Sequence, residues 1–159
     1  MKVFQYLVVV FFVIIIFSCT TDEECRKDRY VQLNAKFYTN ILNTSTNKYT
    51  TSSLTIDSIT LKGVDVDSIL YKNSKKISSV FLPLNKFKSE SKFSVKFNQI
   101  TDTITILNSN IEQYLSLECG CIKVHTIDTV LTTNHYIDSV KIKVRNVNTI
   151  QSEHVQIYN

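Results

Sequence analysis

The chain has 159 residues, room for one domain. Valine, isoleucine and threonine supply 51 of them, alanine occurs once (Ala35), and there are two glycines and one proline. That balance excludes a helical protein and any collagen-like or low-complexity chain, and a net charge of +4 is too mild for a nucleic-acid binder.

Met1-Lys2 carries one positive charge, and Val3 to Phe17 is almost all apolar. Fifteen residues fall short of the ~20 that a permanent helical span needs. A basic start, an apolar core and a small residue make a secretory signal. The run Ile16-Phe17-Ser18-Cys19 resembles a bacterial lipobox, in which the chain is cut before the cysteine and its thiol carries a fatty acid such as palmitate. Residues 1–18 are therefore expected to be a lipoprotein signal peptide, cleaved before Cys19, the lipid attachment site. Each buried methylene contributes about 0.8 kcal/mol, so two or three acyl chains would hold the protein on a membrane. Residues 19–29 read as an acidic tether. Its Asp22-Glu23-Glu24 resembles the surface-export signal of lipoproteins from Bacteroidetes-type bacteria, and reads equally as a solvated spacer.

From Tyr30 the period is two. Val31, Leu33, Ala35 and Phe37 alternate with polar residues. Asn40 to Ser53 reads as a long loop. A strand follows at Leu54–Lys62, with a bulge or strand start near Asp57, and a short segment at Ser68–Tyr71. Asp65 and Asp67, beside Gly63, read as a turn. Val80, Leu82 and Leu84 form a strand with Pro83 outward, which predicts an edge or a position whose donor side faces solvent. Phe93, Val95 and Phe97 alternate with lysine and serine. Ile104 and Ile106 come next, then Leu115, Leu117 and Cys119, then Ile122, Val124 and Thr126, with a bulge at Gly120. Val140, Ile142 and Val144 alternate with Lys141, Lys143 and Arg145, and Val155 with Ile157 closes the chain. Eight to ten short strands with polar links predict an all-β fold over residues 30–159, an antiparallel β-sandwich of the immunoglobulin or transthyretin type.

Seven lysines lie between Ile69 and Ile100, and Lys141, Lys143 and Arg145 form a basic stripe. Either could grip an anion; either also serves as a water-facing strand surface. Tyr30, Tyr38, Tyr114 and Tyr158 have outward parity and could stack on a glycan.

Of the four cysteines, Cys19 is assigned to lipid. Export predicts a disulfide. Cys119 and Cys121 share one side of a strand and are poorly placed to bridge each other, so Cys25 is expected to pair with one of them. Cys119 is favoured because it continues the parity of Leu115 and Leu117; Cys121 is the alternative partner, and whichever is left over is free or bridges chains. Cys119, Cys121, His125 and His135 would be the competing metal ligands, but the spacing is not that of a zinc knuckle, and no metal or other cofactor is expected.

Asp-Ser/Thr-Ile/Val occurs five times, beginning at Asp57, Asp67, Asp102, Asp128 and Asp138, far above what composition predicts. It is a natural turn-to-strand junction. It also looks like an O-glycosylation acceptor of Bacteroidetes-type bacteria, with Ser58, Ser68, Thr103, Thr129 and Ser139 as candidate hydroxyls. No catalytic residues stand out: there is no glycine-rich phosphate loop, no nucleophile elbow and no histidine cluster, so no enzyme is expected.

Cys25, Thr55–Leu61, Phe81-Leu82-Pro83-Leu84-Asn85, Thr101–Ile104, Glu118-Cys119-Gly120, Tyr136–Val140 and His154–Tyr158 run in an order that resembles a family of uncharacterised lipoproteins of Bacteroidetes-type bacteria, carried as a domain of unknown function. Cys121 departs from that pattern, where an aromatic or aliphatic residue is the rule. The resemblance implies export, a lipid anchor on the outer membrane (periplasmic or surface face) and an outer-membrane β-barrel protein as partner. The expected function is an envelope accessory protein; the alternative is a small glycan- or anion-binding module.

Overall fold

The computed structural model describes residues 30–64, 66–117 and 119–159. They form eleven strands and no helix. In chain order these are β1 (Leu33–Asn43), β2 (Lys48–Ser53), β3 (Ile56–Gly63), β4 (Ile69–Ile77), β5 (Ser79–Leu82), β6 (Glu90–Phe97), β7 (Ile100–Ser116), β8 (Gly120–Thr132), β9 (Ser139–Ile142), β10 (Asn146–Val147) and β11 (Val155–Tyr158). One sheet runs β2-β1-β11-β9, with β5 beside the first half of β1; the other runs β10-β8-β7-β6-β3-β4. Their inner faces pack together as the expected β-sandwich.

The alternating runs supply the core. Leu33, Ala35, Phe37, Val155 and Ile157 line one layer, and Ile59, Leu61, Phe93, Val95, Phe97, Ile104 and Ile106 the other. Phe37 meets Phe97 edge-on across the layers, ring centroids 5.8 Å apart, and Phe97 stacks on Tyr136 at 4.4 Å. Pro83 is exposed just past β5, an edge strand as expected. That edge is partly closed by the other sheet: the Phe81 amide donates to the Tyr71 hydroxyl at 3.0 Å.

Several expectations need correction. The pairing is not wholly antiparallel, because β1 and β11 run parallel, Ala35 opposite Val155 and Tyr38 opposite Tyr158. The strands number eleven, and β7 (17 residues) and β8 (13 residues) are long. Asn40–Ser53 is a hairpin arm rather than a loop; both of its faces are solvated, so threonine and serine replace the apolar alternation. The segment beginning near Ser68 continues as β4 to Ile77. Leu117 is 90% exposed at the β7–β8 turn and shares no core parity with Cys119. In β8 the buried positions change parity between Ile122 and His125 while the ladder stays in register, and the ladder irregularity lies further on, at Asp128. Near Asp57 it is the strand start that is found: β3 begins at Ile56 and the buried positions shift parity between Ile56 and Ile59, while the ladder irregularities lie further on, around Leu61. Gly120 sits at φ 68°, and the register shift it was expected to mark lies opposite, between Tyr114 and Ser116. Asparagine takes most of the other left-handed positions: Asn47, Asn73, Asn98 and Asn134, together with Lys76.

Asp102 is fully buried and ties the two layers at one end. Its Oδ1 accepts from the Thr133 hydroxyl (2.6 Å), the His135 amide (2.8 Å) and His135 Nδ1 (3.1 Å). Its Oδ2 accepts from the amides of Tyr136 (2.8 Å) and Ile137 (3.0 Å). Burial alone would raise its pKa; the Thr133 hydroxyl and the three amides outweigh burial and hold it well below the usual carboxylate range. Asp102→Asn puts an amide donor against these donors and leaves buried amides unpaired. The variant is expected to lose about 3 kcal/mol or more of stability, read as a drop in urea midpoint at pH 7.

Candidate functional site

The outer face of the β2-β1-β11-β9 sheet gathers a group of side chains able to bind a ligand. Because β1 and β11 lie side by side in register, Tyr38 and Tyr158 become neighbours with ring centroids 5.8 Å apart. Glu153 organises the face around them. Its Oε1 accepts from the Tyr38 hydroxyl (2.9 Å) and from Gln156 Nε2 (2.7 Å). Its Oε2 accepts from Lys143 Nζ (3.2 Å), with Lys36 Nζ at 3.8 Å. Burial would raise the Glu153 pKa, but the bonds from Gln156, Tyr38 and Lys143 bring it below the ordinary carboxylate value. Burial and the nearby carboxylate push the Tyr38 phenol up, so it stays protonated as a donor. Two flat rings bordered by fixed donors and acceptors can stack on and hydrogen-bond a sugar.

The other expected groups are dispersed. Tyr30 lies at the start of the sandwich and Tyr114 on the β7–β8 arm, away from this pair. The basic stripe divides. Lys143 is held by Glu153, and Arg145 Nη1 donates to the carbonyls of Ile127 (2.7 Å) and Asp128 (2.8 Å), fastening the chain before β10. Lys141 alone of the three stands in solvent without such an anchor.

The β7–β8 hairpin extends past the sandwich as an arm, and Asn110 secures its base. Asn110 Nδ2 donates to the carbonyls of Asn85 (3.2 Å) and Lys88 (3.0 Å). Asn110 Oδ1 accepts from Asn108 Nδ2 (2.6 Å) and faces His125 Nδ1 at 2.7 Å, so that nitrogen carries a proton. Asn85 Oδ1 in turn accepts the amides of Phe87 and Lys88, locking a turn that holds Phe87 out, 92% exposed. Near the tip, Cys121 carries a free exposed thiol, whereas Cys119 is not free. Cys19 and Cys25 lie outside the described residues, as does Asp65.

The five tripeptides separate by environment. Ser68, Thr129 and Ser139 are exposed. Ser58 is half-buried in β3 and donates to Asn73 Oδ1. Thr103 is half-buried in β7, in the wall of a shallow hollow with Lys62, Asp67 and Ser94. Asp102, expected as a turn residue, is the buried tie described above.

The residues weighed as metal ligands are kept apart. Cys121 faces solvent, His125 is bound to Asn110, and His135 bonds Asp102. Among the described residues no three histidine, cysteine or acidic side chains converge on one point.

The model of a family of unknown function (DUF6452) matches residues 58–159, from within β3 to the last residue of the chain. The chain belongs to that family. No curated protein and no solved structure matches it. The DUF6452 match includes Glu153, Gln156 and Tyr158 but not Tyr38, so the tyrosine pair straddles its boundary.

His154, which alternation places outward, is fully buried. Its Nδ1 accepts the Asn34 amide (3.0 Å) and its own amide donates to the Asn34 carbonyl (3.0 Å), which extends the β1–β11 pairing by one step. Burial holds the pKa of His154, and that of His125 near Lys86, below the ordinary 6.5. The folded state therefore binds fewer protons than the unfolded one as pH falls past 6.5. Stability is full above that value and declines below it, by up to about 1.4 kcal/mol per pH unit for each histidine. Urea midpoints measured from pH 8 to pH 5 are expected to be level and then fall; a curve flat throughout would show that neither imidazole is held neutral.

Proposed function

We propose that this protein is a lipid-anchored accessory protein of a bacterial cell envelope, without catalytic activity, that contacts an outer-membrane protein of the β-barrel type. The observation that carries this reading is the apolar run Val3–Phe17, which ends at Ser18-Cys19 and is followed eleven residues after Cys19 by a β-sandwich. Acylation of Cys19 would hold the domain at a membrane surface. A disulfide from Cys25 to Cys119 would tie the tether to the β7–β8 arm.

The β1–β2 arm suits the partner. It projects from the end of the sandwich opposite the β7–β8 arm, since β1 and β7 both run outward at their C-terminal ends and start from opposite ends of the core. Ile41, Leu42 and Tyr49 are exposed on it, and β2 offers an open edge. Crosslinking and mass spectrometry in the native envelope are expected to recover one repeatable protein partner, at least about tenfold less in an Ile41→Ser/Tyr49→Ser variant. Recovery of no repeatable partner would overturn the reading.

The Tyr38–Tyr158 face supports a second reading, a glycan-binding module. Calorimetry with envelope glycans is then expected to show heat that Tyr38→Ala/Tyr158→Ala removes. Ser68, Thr129 and Ser139 are the hydroxyls best exposed for O-glycosylation. Intact mass of the native protein tests this: a mass equal to peptide plus lipid excludes it.

A further inference from the structure

The structure assigns the β7–β8 end of the sandwich a role beyond tethering: we infer that it docks directly on the bilayer interface, with Leu117, Tyr114 and Phe87 as the inserting side chains. The inference rests on the lipoprotein reading above.

Exposed apolar groups gather at this end. Leu117 is 90% exposed at the tip, Phe87 92% at the base, and Tyr114 and Ile111 lie along the arm, both more than half exposed. Leu117 stands in a turn flanked by two long paired strands, and Phe87 on the turn that Asn85 and Asn110 lock. Tyr114 has the parity of Asn110, whose side chain binds the Phe87 turn, so Tyr114 and Phe87 share one side of the arm. An arm resting at a slant presents all three to one surface. Aromatic rings at headgroup depth with an aliphatic side chain beneath are the residue types that interfaces favour.

The path of the chain names the occupant. The preceding residues join at Tyr30, which leads through Val31 into Leu33, paired with Leu82, close to Asn85 and the arm base. Eleven residues from Cys19 to Tyr30 reach at most about 40 Å. From Asn110 to Leu117 the arm spans about 23 Å. An acyl chain on Cys19 therefore keeps the bilayer within the arm's neighbourhood. Charge adds little: Lys86 stands at the base, but Lys123 faces Glu112 across the ladder.

The test uses the full chain, processed and reconstituted in vesicles of phosphatidylethanolamine and phosphatidylglycerol. A benzophenone crosslinker replaces Leu117, Phe87 or Tyr49 in turn. Lipid adducts are expected at Leu117 and Phe87 and none at Tyr49, on the opposite arm. Adding Leu117→Asp is expected to abolish the adducts at Phe87 while the melting temperature holds. Adducts to protein alone at Leu117 and Phe87, or equal lipid adducts at all three positions, would overturn the inference. The intact mass of the same sample reports the Cys19 modification separately. An acylated chain without arm adducts leaves the anchor standing and removes the docking surface; arm adducts on an unacylated chain do the reverse.

Discussion

The first and last described strands must find each other before the five-stranded layer is complete and the six-stranded layer is covered. β1 is the hub of its sheet: β11 lies on one side, β5 and β2 on the other. Its inner residues Leu33, Ala35 and Phe37 and those of β11, Val155 and Ile157, cover the second sheet. The parallel register is secured at its start by two bonds between Asn34 and His154, a separation of 120 residues. Closing so long a loop costs entropy that local contacts cannot offset, so the fold depends on the burial gained when the ends meet. The DUF6452 match begins after β1, yet its strands have no complete inner face without it.

Where a strand covers the core with one face and meets water with the other, the sequence was readable. Val31–Phe37, Phe93–Phe97 and Val155–Ile157 bury the residues that their alternation marks. Where neither face is covered, alternation disappears, and the β1–β2 arm reads as a loop. The parallel pair was hidden because periodicity says nothing of a partner's direction. The burial of His154 was hidden because a polar residue in a polar position is ambiguous until its hydrogen-bond partner is known.

The candidate sites were legible only in part, for the same reason. Tyr38 and Tyr158 were marked as outward, but their adjacency is a product of topology. Glu153, which holds the face together, carried no signal in the sequence. The Asp-Ser/Thr-Ile/Val repeat was visible, yet one pattern serves two ends: at Asp128 and Asp138 it leads out of exposed chain, and at Asp102 the carboxylate is buried under amides. Phe87 carries no signal of exposure in the sequence, and Leu117 reads as a strand residue in step with Leu115, because the turn that lifts it into solvent leaves the local alternation unbroken.

The asparagines at left-handed backbone positions have a consequence for the denatured chain. Glycine could occupy Asn47, Asn73, Asn98 and Asn134 with less steric cost, but it would enlarge the range of shapes open to the unfolded polypeptide. With one side chain at each of these bends, and two glycines in the whole sequence, the disordered ensemble is stiffer than that of a glycine-rich β protein. The search that brings residue 34 to residue 154 thus starts from fewer conformers.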